Sequence, residues 1–269
     1  MGDRAAEFVA ATRDALAGAG FERVEADGRV YFRGGSGDDT TLLLHGVNEQ
    51  AGTWAPVAEP LAARFRVLIP DLAGHGDSGP KEGPLTIEAI LGGVEAMVER
   101  EGARRVTIAG NSMGGWVAML YALKHPEGVA RLVLEDASGM IWMPPVPLFP
   151  RSQEEAVTCL RAVHGPAYEP EQWAIDAMLQ RAVSAPMTRM AGVHVHAVDN
   201  RLGELSVPTT LIWGRDDGLL TLPYAEMLQK RIAGATLHVI DGAAHIPHRQ
   251  QPERFLECLL ETCSPSAHA

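Results

Sequence analysis

Apolar and charged residues mix at helical spacing over residues 4–19, and the run stops at Gly20, a pattern that predicts an amphipathic helix. Beyond it the period changes. Short apolar runs follow at 30–32, 41–44, 66–69, 106–109, 131–134, 209–213 and 237–240, and each predicts a strand. The later runs are continuously apolar, as strands covered on both faces are, and helix-like stretches at 86–101, 114–125 and 223–232 separate several of them. Together they predict an α/β fold, a mostly parallel central sheet with helices on both faces.

One interval breaks this rhythm. Between residues 134 and 209 there is no convincing strand; a proline-rich run at 141–150 leads instead into helix-like stretches near 152–163 and 171–182. We read residues 139–200 as an inserted helical lid on a core formed by 1–138 and 201–269, with a small polar tail at 264–269 that is expected to fray. Glycine or aspartate follows almost every predicted strand, at Gly46, Asp71, Gly110, Asp136, Gly214 and Asp241. In an open α/β sheet those carboxyl ends are where sites are built.

Composition narrows the classes of function. Of 269 residues, 46% are apolar and 21% charged, ordinary for a globular protein with a substantial core. The net charge of −11 disfavours attraction to nucleic acid or anionic lipid. No apolar run approaches the ~20 residues needed to span a bilayer, and the amino terminus lacks a signal-peptide core. Three scattered cysteines, Cys159, Cys258 and Cys263, offer neither a disulfide framework nor a zinc motif, so a reducing cytoplasm is the expected location. No fixed-period repeat is evident on inspection.

The chemistry centres on Gly110-Asn111-Ser112-Met113-Gly114, set between a buried strand and a helix. Gly-x-Ser-x-Gly in that context describes a serine on a strained turn, with glycines where backbones crowd. A serine hydroxyl needs a base, and the base an orienting carboxylate. Downstream, Asp216 and Asp217 follow one strand and His245 follows the next, so the order is Ser, Asp, His, each just past a strand's carboxyl end.

With these motifs the chain resembles an α/β-hydrolase from about residue 30 to 260. His45-Gly46 is similar to the family's oxyanion loop, residues 74–78 to the turn after its next core strand, 214–217 to its acid loop and 242–245 to its histidine loop. The resemblance implies Ser112 as nucleophile, His245 as general base and then acid, and Asp217 as the carboxylate. It prefers Asp217 over Asp216 because the family's acid usually stands three residues after the loop glycine. It implies an oxyanion hole from the backbone N–H groups of Val47 and Met113, and it implies no cofactor and no metal.

Other polar residues carry less. His75 is read as structural, Asn48 and Asn111 as loop caps or substrate contacts, His194 and His196 as lid surface, and His248 as packing beside the histidine loop. Met140, Trp142, Met143, Leu148, Phe149 and Ile246 are candidates to line an acyl pocket. The expected activity is hydrolysis of a small-molecule carboxylic ester with a small or medium apolar acyl group, through an acyl-enzyme. A meta-cleavage-type carbon–carbon bond hydrolase is the alternative, because the elbow resembles that group. Against it, Ile246 stands where that group commonly has tryptophan, and a cationic clamp would have to come from Arg161, Arg181 or Arg189. A ligand-binding protein on the same fold with negligible turnover is the third reading.

Overall fold

The computed structural model describes residues 4–263. Helix α1 (Arg4–Gly18) precedes β1 (Glu22–Ala26), β2 (Arg29–Gly34) and β3 (Thr40–Leu44). There follow α2 (Ala55–Ala62), β4 (Arg66–Pro70), α3 (Ile87–Arg100), β5 (Val106–Asn111), α4 (Met113–Lys124) and β6 (Val129–Glu135). After α5 (Gln153–His164) and α6 (Gln172–Ser184) the chain returns through β7 (Thr209–Gly214), α7 (Leu222–Arg231), β8 (Thr236–Ile240), α8 (Pro247–Gln250) and α9 (Pro252–Cys263).

The eight strands form one sheet in the order β1-β2-β4-β3-β5-β6-β7-β8. Pairing is antiparallel from β1 through β2 to β4 and parallel from there on. Alternate residues of each inner strand supply two cores. Leu42, Leu44, Ile108, Leu132 and Leu134 face α3, α4 and α7. Leu43, Ala109 and Val133 face α1, α2 and α9. Apolar side chains on both faces explain why these runs show no alternation in the sequence.

All seven predicted strands are present, and the structure adds an eighth. Strand β1 carries Glu22, Arg23 and Glu25 with a largely exposed pattern, so it has no apolar run to betray it. It is made by its turn: Asp27 and Gly28 both have positive φ, 52° and 70°, the backbone of a tight hairpin. Helix α2 was hidden by Pro56 and Pro60, the first tolerated near the helix start and the second inside it.

Between β6 and β7 there is no strand of the sheet. Helices α5 and α6 pack on each other through Ala156, Leu160, Ala174 and Ile175, a small core of their own. The neck is closed by Val198 N–H donating to Gly139 O at 2.9 Å. The side chain of His194 and the tail at 264–269 lie outside the described residues; among the described residues no helix is long and apolar enough to cross a membrane.

Candidate active site

Parallel β3, β5, β6, β7 and β8 bring their carboxyl ends to one edge, and the polar residues after them meet there. Ser112 joins β5 to α4 with φ 52° and ψ −117°. A side chain is rarely held in that region, and doing so costs about 1–3 kcal/mol. Packing enforces it. A Cβ on Gly110 would come within 2.4 Å of Gly114 O, and one on Gly114 within 2.1 Å of Leu44 O, so strand and helix touch backbone to backbone. Ser112 N–H donates to Glu135 O at 3.0 Å, and Ser112 O accepts from Ser138 N–H at 3.0 Å, which pins the turn to β6.

His245 and Asp217 lie beyond β8 and β7. His245 Nδ1 donates to Asp217 Oδ2 at 2.8 Å. Asp217 Oδ1 accepts from the N–H groups of Leu219 at 2.7 Å and Leu220 at 3.1 Å, so the carboxylate is fixed in a turn of its own making. Asp217 is buried and Asp216 exposed, which separates the two neighbours. Burial alone would lower the His245 pKa, but the Asp217 carboxylate, with Glu135 and Glu49 beyond it, raises it above the ordinary 6.5. Asn111, next to Ser112, ties the elbow to the histidine loop: its Nδ2 donates to His245 O at 2.9 Å.

Met113 follows Ser112 in the chain, and Val47 follows Gly46, where an added Cβ would lie 3.3 Å from Ser112 Cβ. Met113 opens α4, where the first N–H groups have no partner within the helix. Among the described residues neither its N–H nor that of Val47 donates to a protein acceptor. The loop carrying Val47 is held from below. Nδ1 of His45 donates to Gly46 O at 2.8 Å, and its Nε2 accepts from Leu72 N–H at 2.9 Å. Burial pushes the His45 pKa down to about 4, so it stays neutral in this tautomer. His75 is buried beside it, with Nδ1 donating to Ala73 O at 3.0 Å.

Two buried carboxyls sit behind this edge: Asp136, noted in the sequence only as a residue that follows a strand, and Glu135, which was not singled out there. Asp136, at φ 40°, accepts from Gly214 N–H at 3.1 Å. Ligand atoms of Asp136, Asp217 and His245 all lie within 4.8 Å of one another. Burial, then the Asp217 charge and a hydrogen bond to it, push the Asp136 carboxyl well above the usual range. His245 Nδ1 and both Asp217 oxygens are committed to each other and to loop amides, so Asp136 joins a hydrogen-bonded cluster. Glu135 is also fully buried; it accepts from His248 Nδ1 at 2.8 Å, and His248 Nε2 meets Thr53 Oγ1 at 3.1 Å. Only their residue types were visible in the sequence, since burial there is a product of the sheet order.

The expected pocket residues scatter. Asn111 is 2% exposed, and its amide nitrogen is committed to the carbonyls of His245 and Glu135, so it is a strut and not a pocket contact. Asn48, at φ 63°, joins the Val47 loop to the insertion: its Oδ1 accepts from Met187 N–H at 3.0 Å. Met140 is buried in the core, its N–H donating to Tyr224 OH at 3.0 Å. Trp142 lies edge-on to Tyr224 and donates from Nε1 to Leu219 O at 3.2 Å, beside the turn that Asp217 caps. Met143, Leu148 and Phe149 instead face solvent, at 87%, 39% and 44% exposure, which corrects their placement in a pocket. Pro144, Pro145, Pro147 and Pro150 deny that run a helix or a ladder, so it crosses the surface. Ile246 is buried where α8 begins. The backbone O of His196 accepts from Trp116 Nε1 at 2.9 Å, and its ring pairs with Glu88. A cleft of about 510 Å³ opens at the acid loop, lined by Arg161, Ala162, Asp216, Asp217, Leu222 and Pro223 among others.

A mostly parallel sheet, a serine on a strained strand-to-helix turn and an aspartate–histidine pair at the same edge define a hydrolase fold. The chain belongs to the alpha/beta hydrolase family, which matches it over residues 41–257. It is 29% identical to a 2-hydroxy-6-oxononadienedioate/2-hydroxy-6-oxononatrienedioate hydrolase of Cupriavidus pinatubonensis, over 85% of this chain and 90% of that one. It is 27% identical to a pimeloyl-(acyl-carrier protein) methyl ester esterase of Nitrosomonas europaea, over 83% and 95%. Among solved structures, a bacterial membrane phospholipase A superposes with a TM-score of 0.75 at 26% identity, covering 97% of this chain and 93% of that one.

Proposed function

We propose that this protein is a serine hydrolase that cleaves a carboxylic ester of a small or medium apolar acyl group through an acyl-enzyme. The observation that carries the reading is the pairing of a left-handed Ser112 with a buried Asp217–His245 hydrogen bond on the same sheet edge. Asp217 holds the proton on Nδ1, which leaves the Nε2 lone pair to take the Ser112 proton as Oγ attacks the carbonyl. The N–H groups of Val47 and Met113 donate to the developing oxyanion; one such donor is typically worth ~10²–10³ in rate. His245 then protonates the departing alcohol, and water activated by the same imidazole releases the acid. The helices between β6 and β7 serve as the lid over this edge. The similarity to an ester-cleaving relative supports the reaction class.

The similarity to a carbon–carbon bond hydrolase at 29% identity favours a second reading. A vinylogous diketo acid needs a cationic clamp, and two of the lid arginines are occupied. Arg161 binds Glu169 and Tyr168 O, and Arg189 binds the carbonyls of Lys81 and Pro80. Incubation with p-nitrophenyl acetate and butyrate, a meta-cleavage diketo acid and a fluorophosphonate probe separates the readings. Ester turnover and labelling, both lost in Ser112→Ala, are the expected result. No labelling of the wild type would refute a serine nucleophile.

A further inference from the structure

The last four carbonyls of a helix have no acceptor role inside it, and at the end of α5 each finds a particular donor. Arg161 O accepts from Gly165 N–H at 2.9 Å, the local closure of the helix. Ala162 O accepts from Gly218 N–H at 3.0 Å, and Val163 O from His245 N–H at 3.1 Å. His164 O accepts from Gln250 Nε2 at 2.8 Å, while Gln250 Oε1 accepts from Ala244 N–H at 2.8 Å. One helix end therefore holds the residue after Asp217, His245 itself and, through Gln250, the residue before His245.

The approach is too close to be incidental. A Cβ on Gly218 would lie 2.7 Å from Ala162 Cα, so glycine is what lets the insertion reach the acid loop. The end of a helix also carries a partial negative charge that favours a nearby cation. In the reaction cycle of a serine hydrolase the group that becomes a cation is His245.

We propose that the carboxyl end of α5 is a working part of the Asp217–His245 pair: it fixes the two loops that carry those side chains and favours the imidazolium, with Gln250 as the positioning residue that couples insertion to histidine loop. The proposal rests on the serine-hydrolase reading. On this view the insertion cannot lift at α5 as a hinged cover without dismantling the pair beneath it. The other groups facing His245 are Asp217, Asp136, Glu135 and Glu49, together with His164. Burial, with Arg249 adding to it, lowers the His164 pKa to about 4, so His164 adds no charge at neutral pH.

The test is the titration of the His245 ring, followed by nitrogen–proton NMR in the full chain and assigned by its loss in His245→Gln. Gln250→Met removes the bridge at near-constant shape, and Gly218→Ala forces α5 off the acid loop. In each variant that keeps the wild-type fold by circular dichroism, the His245 pKa falls by about 0.2–0.7 unit, the size expected of a helix end. The acidic limb of kcat moves with it, and kcat falls about tenfold or more while KM changes little, as for misplaced catalytic groups. A folded variant whose His245 titrates within about 0.1 unit of wild type overturns the proposal. The NMR reading stands whether or not the wild type turns over an ester, so failure of the esterase reading is seen separately.

Discussion

Replacing Asp217 by asparagine probes the pair at its centre. Asp217 Oδ1 accepts from the N–H groups of Leu219 and Leu220, so an asparagine is constrained to keep its oxygen there and to turn its NH2 toward His245. Donor then meets donor at the 2.8 Å contact with Nδ1. The imidazole escapes by moving its proton to Nε2, the atom that must accept from Ser112. Loss of the productive tautomer lowers kcat by ~10⁴ in serine hydrolases of this kind, equivalent to about 5 kcal/mol of barrier. Folding should not suffer in parallel, because the substitution removes one of the two buried carboxyls, Asp217 and Asp136, that lie side by side. The assay is initial rate on a p-nitrophenyl ester at pH 8 beside thermal unfolding, with Asp216→Asn as the control on an exposed neighbour. An Asp217→Asn enzyme within tenfold of wild type, or a larger loss in Asp216→Asn, would refute the reasoning.

Three further outcomes are expected. The rate needs neutral His245, whose pKa is raised above 6.5, so kcat/KM should fall on acidification with a limb above pH 6.5; a flat profile from pH 5 to 8 contradicts a histidine base. The Asp136 pKa is raised in the folded state above its ordinary 3.8 by burial and the neighbouring Asp217, so folding loses stability as pH rises beyond that value. Asp136→Asn, neutral throughout, should therefore gain in unfolding temperature over wild type between pH 5 and pH 8, and a gain that shrinks over that interval would count against a protonated Asp136. Asn48→Ala loses the Met187 bond and meets strain at φ 63°, a destabilisation of about 2–3 kcal/mol in urea, whereas Asn48→Gly loses only the bond; glycine more damaging than alanine would remove the strain argument.

The inner strands were legible because both faces of each are buried, which leaves an unbroken apolar run. Ser112, Asp217 and His245 were legible because each follows such a run, and topology alone carries strand ends to a common edge. Strand β1 escaped notice since an edge strand facing water can be mostly charged. The positions of Met143, Leu148 and Phe149 were illegible for the opposite reason: hydrophobicity states what a side chain prefers, while four prolines decided where the backbone runs. Asp136 and Gln250 were ordinary polar residues in sequence. Their roles arise from approaches between segments far apart in the chain, Gly214 to Asp136 and His164 to Gln250, which no local pattern records.

Thr53, His248 and Glu135 form a hydroxyl–imidazole–carboxylate chain with separations of 3.1 Å and 2.8 Å, sealed at 3%, 0% and 0% exposure. A distance template for a serine-protease constellation would thus alight on this chain at a second, mute copy, joined to the elbow through Glu135, whose main-chain oxygen accepts from Ser112 N–H. The mute copy has a hydroxyl, a base and an acid, yet no route for a substrate to its hydroxyl. Three atoms at such distances are therefore no mark of a site by themselves: the exposure of the hydroxyl-bearing residue, half-buried at Ser112 and sealed at Thr53, is what separates the two constellations.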